Sequence, residues 1–298
     1  MQIKSLFDRV AIIGFGEVGG IFARDLLAAG VGKVAAFDVA APALARIHAP
    51  VAKCSSAAEA ARGAQLVILS VTAGSVLDAA RSLESGLGHG PYVLDVNSVS
   101  PATKQAAFRT IEAAGGRYVE AAVMTNVPPR GLASPMLLGG PHATAFLANA
   151  AGLALDATVF AAAVGPASSV KMCRSIMVKG IEALLSECML TARHYGVEQD
   201  VLRSLSDTLP HPDWPGKARY MISRALLHGR RRAEEMREVA QTVADAGVAP
   251  LLSRAIAERQ DWAACQGAVM GPDAIGTPDL ALLLDALVRA SALAACRT

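Results

Sequence analysis

Residues 9–20 read Arg-Val-Ala-Ile-Ile-Gly-Phe-Gly-Glu-Val-Gly-Gly, and the fold follows from this stretch. A short apolar run at 10–13 leads into Gly14-x-Gly16-x-x-Gly19. A helix-like apolar segment at 21–29 follows, then a second β-prone run at 34–37 that ends in Asp38. Strand, glycine turn, helix, strand and acid in this order form the dinucleotide-binding fingerprint in its structural context. Gly14 permits a tight turn, Gly16 lets the backbone approach a pyrophosphate, and Gly19 lets the helix pack against the strand. The helix start offers free N–H groups and a positive dipole end to phosphates. Phe15, Glu17 and Val18 complete the loop as candidate cofactor contacts.

Asp38 stands where a carboxylate accepts hydrogen bonds from ribose hydroxyls. Val39, Ala40 and Ala41 follow it, with no adjacent arginine for a 2′-phosphate, so the pattern favours NAD over NADP. Arg46 and Lys53 are the cations that would serve NADP instead.

The chain of 298 residues suits two domains. Hydrophobic residues make up 53%, much of it alanine, and aromatics only 4%, which predicts many helices meeting through small side chains. A net charge of +2 argues for neither nucleic acid nor a membrane surface as partner. Cys54, Cys173, Cys188, Cys265 and Cys296 are scattered without ligand spacing, so no metal site is expected and the thiols read as reduced, in a cytoplasmic protein. The first nine residues lack a long apolar core and read as no signal peptide. No apolar run has the length of a membrane span.

Strands are expected at 10–13, 34–37, 66–70, 92–95, 118–122, 136–138 and 158–161, with helices between them such as 57–62 and 103–114. This alternation predicts a doubly wound, mostly parallel α/β sheet, a Rossmann domain over 1–164. After Val164-Gly165-Pro166 the pattern becomes all-helical through 165–298. A long interdomain helix is expected at 167–195, capped by Ser168 or Ser169, with Gly165 as the hinge. Further helices are expected at 198–207, 214–228, 231–246, 249–264 and 278–294, separated by Pro and Gly breakers.

Four more segments carry candidate chemistry. Ser70-Val71-Thr72, Asp95-Val96-Asn97-Ser98 and Glu120-Ala121-Ala122-Val123-Met124-Thr125-Asn126 each run on from an expected strand, where open α/β sheets bind ligands. The fourth is the start of the long helix, with Lys171 five residues after Pro166.

Taken in order, these segments resemble the β-hydroxyacid dehydrogenase family, which includes 3-hydroxyisobutyrate, tartronate semialdehyde and 6-phosphogluconate dehydrogenases. Lys171-Met172-Cys173-Arg174-Ser175 and Arg231-Arg232-Ala233-Glu234-Glu235-Met236 look most like an uncharacterised, phosphogluconate-dehydrogenase-like branch. The resemblance implies that Lys171, reached from Gly165 by the family spacing, is the general acid/base. A partly buried lysine suits that work because burial disfavours its ammonium. It further implies that Thr72, Asn97 and Ser98 lie by the cofactor and that Met124, Thr125, Asn126, Arg174 and Ser175 lie by the substrate.

The departures are equally informative. Arg174 and Ser175 stand where the family usually has two asparagines. Ser175 shares the Lys171 face one turn on. Arg174 reads equally as a carboxylate clamp or as a salt bridge to the neighbouring domain. Val178 occupies the position of the glutamate that phosphogluconate decarboxylation uses, so that route is not expected; Glu182 lies three turns away and is not promoted in its place. The family's Asp-x-Pro-Val-Ser-Gly-Gly loop has lost its serine and glycines, and Val127-Pro128-Pro129-Arg130 stiffens what replaces it. The late Lys-Asp-Leu motif aligns with Glu234-Glu235-Met236, with Arg230, Arg231 and Arg232 nearby as substitute cations.

The 230–238 charge run reads first as an exposed, salt-bridged helix face or an oligomer contact. His211-Pro212-Asp213-Trp214-Pro215 reads as a rigid loop, His194 as a helix-dipole partner and Cys173 as a packed thiol. The expected function is an NAD(P)-dependent oxidoreductase on a small hydroxy acid or sugar-acid-like substrate, in a homo-oligomer, a dimer built on the long helix. The alternatives are an imine or ketone reductase, against which the family lysine speaks, and a dinucleotide-binding sensor without turnover. The residues that would choose the substrate are the ones that depart from the family.

Overall fold

The computed structural model describes residues 6–295; Cys296 and the first five residues lie outside them. The chain runs β1 (Arg9–Ile13), α1 (Glu17–Ala28), β2 (Lys33–Phe37), α2 (Ala41–Leu44), β3 (Val51–Lys53), α3 (Ala57–Ala61), β4 (Leu66–Leu69), α4 (Val76–Ser82), β5 (Tyr92–Asp95), α5 (Pro101–Ala113), β6 (Arg117–Val123), β7 (Met136–Gly139), α6 (Ala143–Asn149) and β8 (Ala157–Ala161). It continues as α7 (Pro166–Tyr195), α8 (Glu198–Thr208), α9 (Trp214–Asp245), α10 (Leu251–Met270), α11 (Pro272–Ile275) and α12 (Leu280–Ala295). The chain divides into two compact units, through Met172 and from Cys173 onward, and the division falls inside α7.

The first unit is an eight-stranded sheet in the order β3-β2-β1-β4-β5-β6-β7-β8. Every pairing is parallel except β6 with β7. Parallel strands need helices on both faces, which explains why β4 is apolar throughout and why β4 and β5 are both fully buried. One face packs Phe22 and Leu26 of α1 and Phe146 of α6 against the sheet. The other packs Ala60, Ala61, Val76, Ala80, Ala107 and Ile111, from α3, α4 and α5. All seven expected strands are present. The unforeseen one, β3, is a three-residue edge strand with Ala52 and Lys53 exposed, too short and too solvated to leave an apolar signature.

The second unit is helical, with Met189, Ile222, Leu283, Leu284 and Leu287 fully buried in its core. Two expectations are corrected. The helices at 214–228 and 231–246 are one helix, α9, which runs through Gly229 without a break. Gly229 is there for contact: a Cβ on it would lie 2.3 Å from the Gln260 carbonyl oxygen. Gly267 of α10 repeats the arrangement, 2.3 Å from the Leu226 carbonyl oxygen. The α9–α10 pair therefore meets backbone to backbone through reciprocal glycine notches.

The second correction concerns the 230–238 face, which was expected to be exposed. Arg232 is buried and bonds Glu182 of α7 at 2.6 Å, and Glu235 is buried between Lys179 at 2.7 Å and Arg231 at 2.6 Å. Arg230 and Arg237 remain exposed. Burial pushes the Glu182 carboxyl up and the Arg232 guanidinium down, and in each the partner's charge only partly opposes the shift. For both groups desolvation outweighs attraction, the usual balance of a buried pair.

Two outcomes follow for stability. Gly229→Ala overpacks the α9–α10 contact and should cost about 1–3 kcal/mol, read as a lower thermal midpoint; an unchanged midpoint would remove the notch argument. Arg232→Met should cost about 3–5 kcal/mol, whereas Glu182→Gln/Arg232→Met should return to within about 1 kcal/mol of the parent in urea unfolding. The native chain holds the Glu182 proton more tightly than the unfolded chain does, so the cost of Arg232→Met should shrink as pH falls.

Candidate functional site

The fingerprint glycines do three separate jobs. Gly14 has φ +92°, and a Cβ there would lie 2.4 Å from the Ser70 carbonyl oxygen. Gly19 has its would-be Cβ 2.1 Å from the Gly14 carbonyl oxygen, so helix and turn touch. At Gly16 an added Cβ would meet nothing within 4 Å. Space is open at the one glycine where a pyrophosphate has to approach. Ser70, just past β4, locks the turn by donating its hydroxyl to the Gly14 carbonyl at 2.8 Å.

Asp38 ends β2 and is tied to the same turn. Its Oδ2 accepts the Phe15 N–H at 2.7 Å and its Oδ1 accepts the Ala40 N–H at 2.8 Å. A carboxylate oxygen accepts two bonds, so acceptor capacity remains for ribose hydroxyls. Arg46 donates to the carbonyl of Phe15, the residue whose N–H Asp38 accepts, at 3.3 Å. Glu17 opens α1, and Gly16 caps it without a side-chain bond. The residues present fit a dinucleotide.

The end of β5 is organised by a buried carboxylate. Asp95 is fully buried and accepts from Lys104 Nζ at 3.0 Å, Tyr118 OH at 2.7 Å, and both the backbone N–H and the side-chain amide of Asn97, at 3.0 and 2.7 Å. Burial first, and then Asp95, hold the Tyr118 hydroxyl well above the usual tyrosine range, so it remains a donor. Asn97, a candidate cofactor contact, is itself buried with its amide committed to Asp95. It shapes the turn that presents the partly exposed Ser98. Thr72 is exposed and pairs with Ser75 at 3.1 Å.

Glu120, opposite Asp95 in the sheet register, corrects the capping expectation. Its Oε2 accepts the Gly165 N–H and its Oε1 the Ser168 N–H, both at 2.7 Å. Ser168 and Ser169 instead donate their hydroxyls to the Gly165 carbonyl, at 2.9 and 3.0 Å. A strand carboxylate thus caps α7, at the helix end where negative charge is favoured. Gly165 needs its freedom, with φ +122°, and a Cβ on Gly139 would lie 2.4 Å from Glu120 Oε2. Sequence reading placed Glu120 in the substrate loop; the signal for its true task was an acid on a strand without a cationic neighbour.

Lys171, half-buried, stands in the second turn of this pinned helix. Met124 is partly buried, and Thr125 and Asn126 are exposed beyond β6, where Thr125 Oγ1 donates to the Asn126 carbonyl at 3.2 Å. Arg174 is exposed and has no ion-pair partner among the described residues, whereas Ser175 is buried. Asp213 caps α9 through the Gly216 N–H at 2.8 Å and His211 accepts the Asp213 N–H, so that loop is structural. Cys173 is exposed rather than packed. No group of metal-ligating side chains occurs among the described residues, and no described helix is long and apolar enough to cross a membrane.

Removing the Glu120 carboxylate should loosen the start of α7. Glu120→Ala leaves two buried N–H groups without their acceptor and should cost about 2–4 kcal/mol, at 1–3 for each orphaned group less partial recovery by water. Hydrogen exchange should speed up at residues 165–168 first; uniform exchange across the sheet would speak against a local cap.

Residues 9–148 match the NAD binding domain of 6-phosphogluconate dehydrogenase, and residues 192–263 match a domain of unknown function, DUF1932. A conserved hypothetical protein from Sinorhizobium meliloti 1021 is similar at 32% identity and a TM-score of 0.72, over 96% of this chain and 98% of that one. A conserved protein of unknown function, MTH1747, described as structurally similar to 3-hydroxyacid dehydrogenases, matches at 31% identity and a TM-score of 0.65, over 87% and 99%. The Mycobacterium tuberculosis 3-hydroxyisobutyrate dehydrogenase, solved with L-serine, shares the fold at 19% identity and a TM-score of 0.68, over 94% and 99%. With its glycine turn in an NAD(P)-binding domain and relatives matched nearly end to end, the chain belongs to the β-hydroxyacid dehydrogenase superfamily.

Proposed function

We propose that the protein is an NAD-preferring dehydrogenase acting on the carbinol carbon of a small hydroxy acid or sugar-acid-like substrate. The observation that carries this reading is a complete dinucleotide cradle in the same chain as a half-buried lysine on a helix whose start is locked to the sheet by Glu120. Bound nicotinamide supplies the hydride acceptor, or the donor in reduction.

The chain's own residues supply the rest. Asp38 accepts from the adenosine ribose, and Gly16 admits the pyrophosphate to the backbone. Lys171, as the free amine, takes the substrate hydroxyl proton at Nζ while the carbinol becomes a carbonyl; in reduction the ammonium returns it. Thr72, Asn97 and Ser98 belong to the nicotinamide side, with Asn97 acting through the turn it holds. Met124, Thr125, Asn126, Arg174 and Ser175 face the substrate. Val178 offers no acid for phosphogluconate decarboxylation. A homodimer built on α7 is supported by its exposed Met177, Leu184 and Tyr195.

Nicotinamide reduction with NAD and with NADP, against 3-hydroxyisobutyrate, L-serine and gluconate, tests the class. The expected result is turnover with at least one acid and a higher kcat/KM with NAD. Lys171→Ala should then lower kcat by about 10²- to 10⁴-fold, with NADH affinity unchanged. Equal turnover by that variant would end the acid/base assignment.

A further inference from the structure

Ser175 makes one hydrogen bond through its side chain among the described residues, and that bond comes from Lys179 Nζ at 3.3 Å. Five other hydroxyls in the helices of this unit bond back along their own helix. Ser186, Thr191, Ser206, Thr242 and Ser291 each donate to the carbonyl four residues back, at 2.7, 2.9, 3.3, 2.9 and 2.8 Å. Such back-bonding is a usual arrangement for a hydroxyl within a helix. Ser175 has no such bond. An ammonium has three donors and no acceptor, so Lys179 can only donate here, and the Ser175 proton is left to point elsewhere.

Lys179 is itself held in place. It is 5% exposed, and its ammonium meets Glu235 Oε2 of α9 at 2.7 Å. Glu235 is fixed in turn by Arg231, one helical turn before it, at 2.6 Å. Moving an ammonium and a carboxylate out of water is costly, and such pairs seldom add stability over an apolar replacement. The pair's consequence is positional: a charged donor fixed at Ser175 Oγ, one turn beyond Lys171 on the same helix face.

We infer that Lys179 is a positioning residue for the proposed dehydrogenase reaction, polarising Ser175 so that its hydroxyl donates to an acceptor oxygen of the substrate beside Lys171. This rests on the reading of Lys171 as the acid/base and of Ser175 as a substrate contact. It assigns Ser175 the donor role in that contact. It also separates two lysines on one helix: Lys171 moves a proton, and Lys179 holds a hydroxyl in place.

The test is a double-mutant cycle on the acid of that panel with the highest kcat/KM. Ser175→Ala and Lys179→Met should each lower kcat/KM by about 10- to 100-fold, the loss of one charge-assisted hydrogen bond. The combined variant should be no worse than Ser175→Ala alone. Lys179→Arg, which keeps a cationic donor, should recover most of the loss. NADH affinity by fluorescence titration should stay within about twofold, as the cofactor cradle lies elsewhere in the chain. If Lys179→Met fails to fold, Lys179→Met/Glu235→Met removes both charges together and should show the same loss.

Multiplying losses in the combined variant, or Arg no better than Met, would overturn the inference while leaving the dehydrogenase reading intact. Absence of turnover by the parent on every acid would instead sink the reading on which it rests, and the inference with it.

Discussion

The carboxylate of Glu120 is the constraint on which the candidate chemistry depends. A fully buried anion is costly unless strong donors surround it. Glu120 finds two of them at the start of α7, where the helix also presents its positive end. The bond therefore serves both partners: the acid is satisfied, and the helix loses two of its orphan N–H groups. Gly139 leaves room for the carboxylate and Gly165 turns the chain into the helix. Because the cap is a strand residue, the position of the first turns of α7, and so of Lys171, is set by the sheet.

Asp95 and the Glu182 cluster show two outcomes of the same cost. Asp95 has donors from a lysine, a tyrosine, a side-chain amide and a backbone N–H. A network satisfied to that extent rigidifies what it holds, here the turn through Asn97 to Ser98. The Glu182 cluster is less complete. Arg232 Nε and Gln260 Oε1 are buried without hydrogen-bond partners among the described residues. Desolvation pushes the Glu182 carboxyl up and the Arg232 guanidinium down against their mutual attraction.

Legibility in the sequence followed the range of the interactions. The glycine turn could be read because each glycine answers a local backbone need, and the strands because a two-faced sheet forces apolar runs. The edge strand β3 escaped because half-solvated residues leave no such pattern. Glu120 escaped as a cap because its partners lie 45 and 48 residues away, and periodicity carries no information at that distance. The charge run of α9 misled for a related reason. Arg232 and Glu235 look like surface charges until α7 supplies Glu182 and Lys179, and nothing in the run itself announces those partners.

That last pairing bears on how the chain departs from the family it belongs to. The resemblance sets the family's Lys-Asp-Leu motif against Glu234-Glu235-Met236, an acid in place of the lysine. The neighbouring arginines of the same helix are the cations nearest in sequence. Arg232 turns instead to Glu182, and Arg231 binds Glu235 from the more exposed side. The buried partner of Glu235 is Lys179, an ammonium supplied by the facing helix. A buried carboxylate requires strong donors, and for Glu235 they are two cations, one from each helix. Lys179 also reaches Ser175, so it links the acid of α9 to the turn after Lys171.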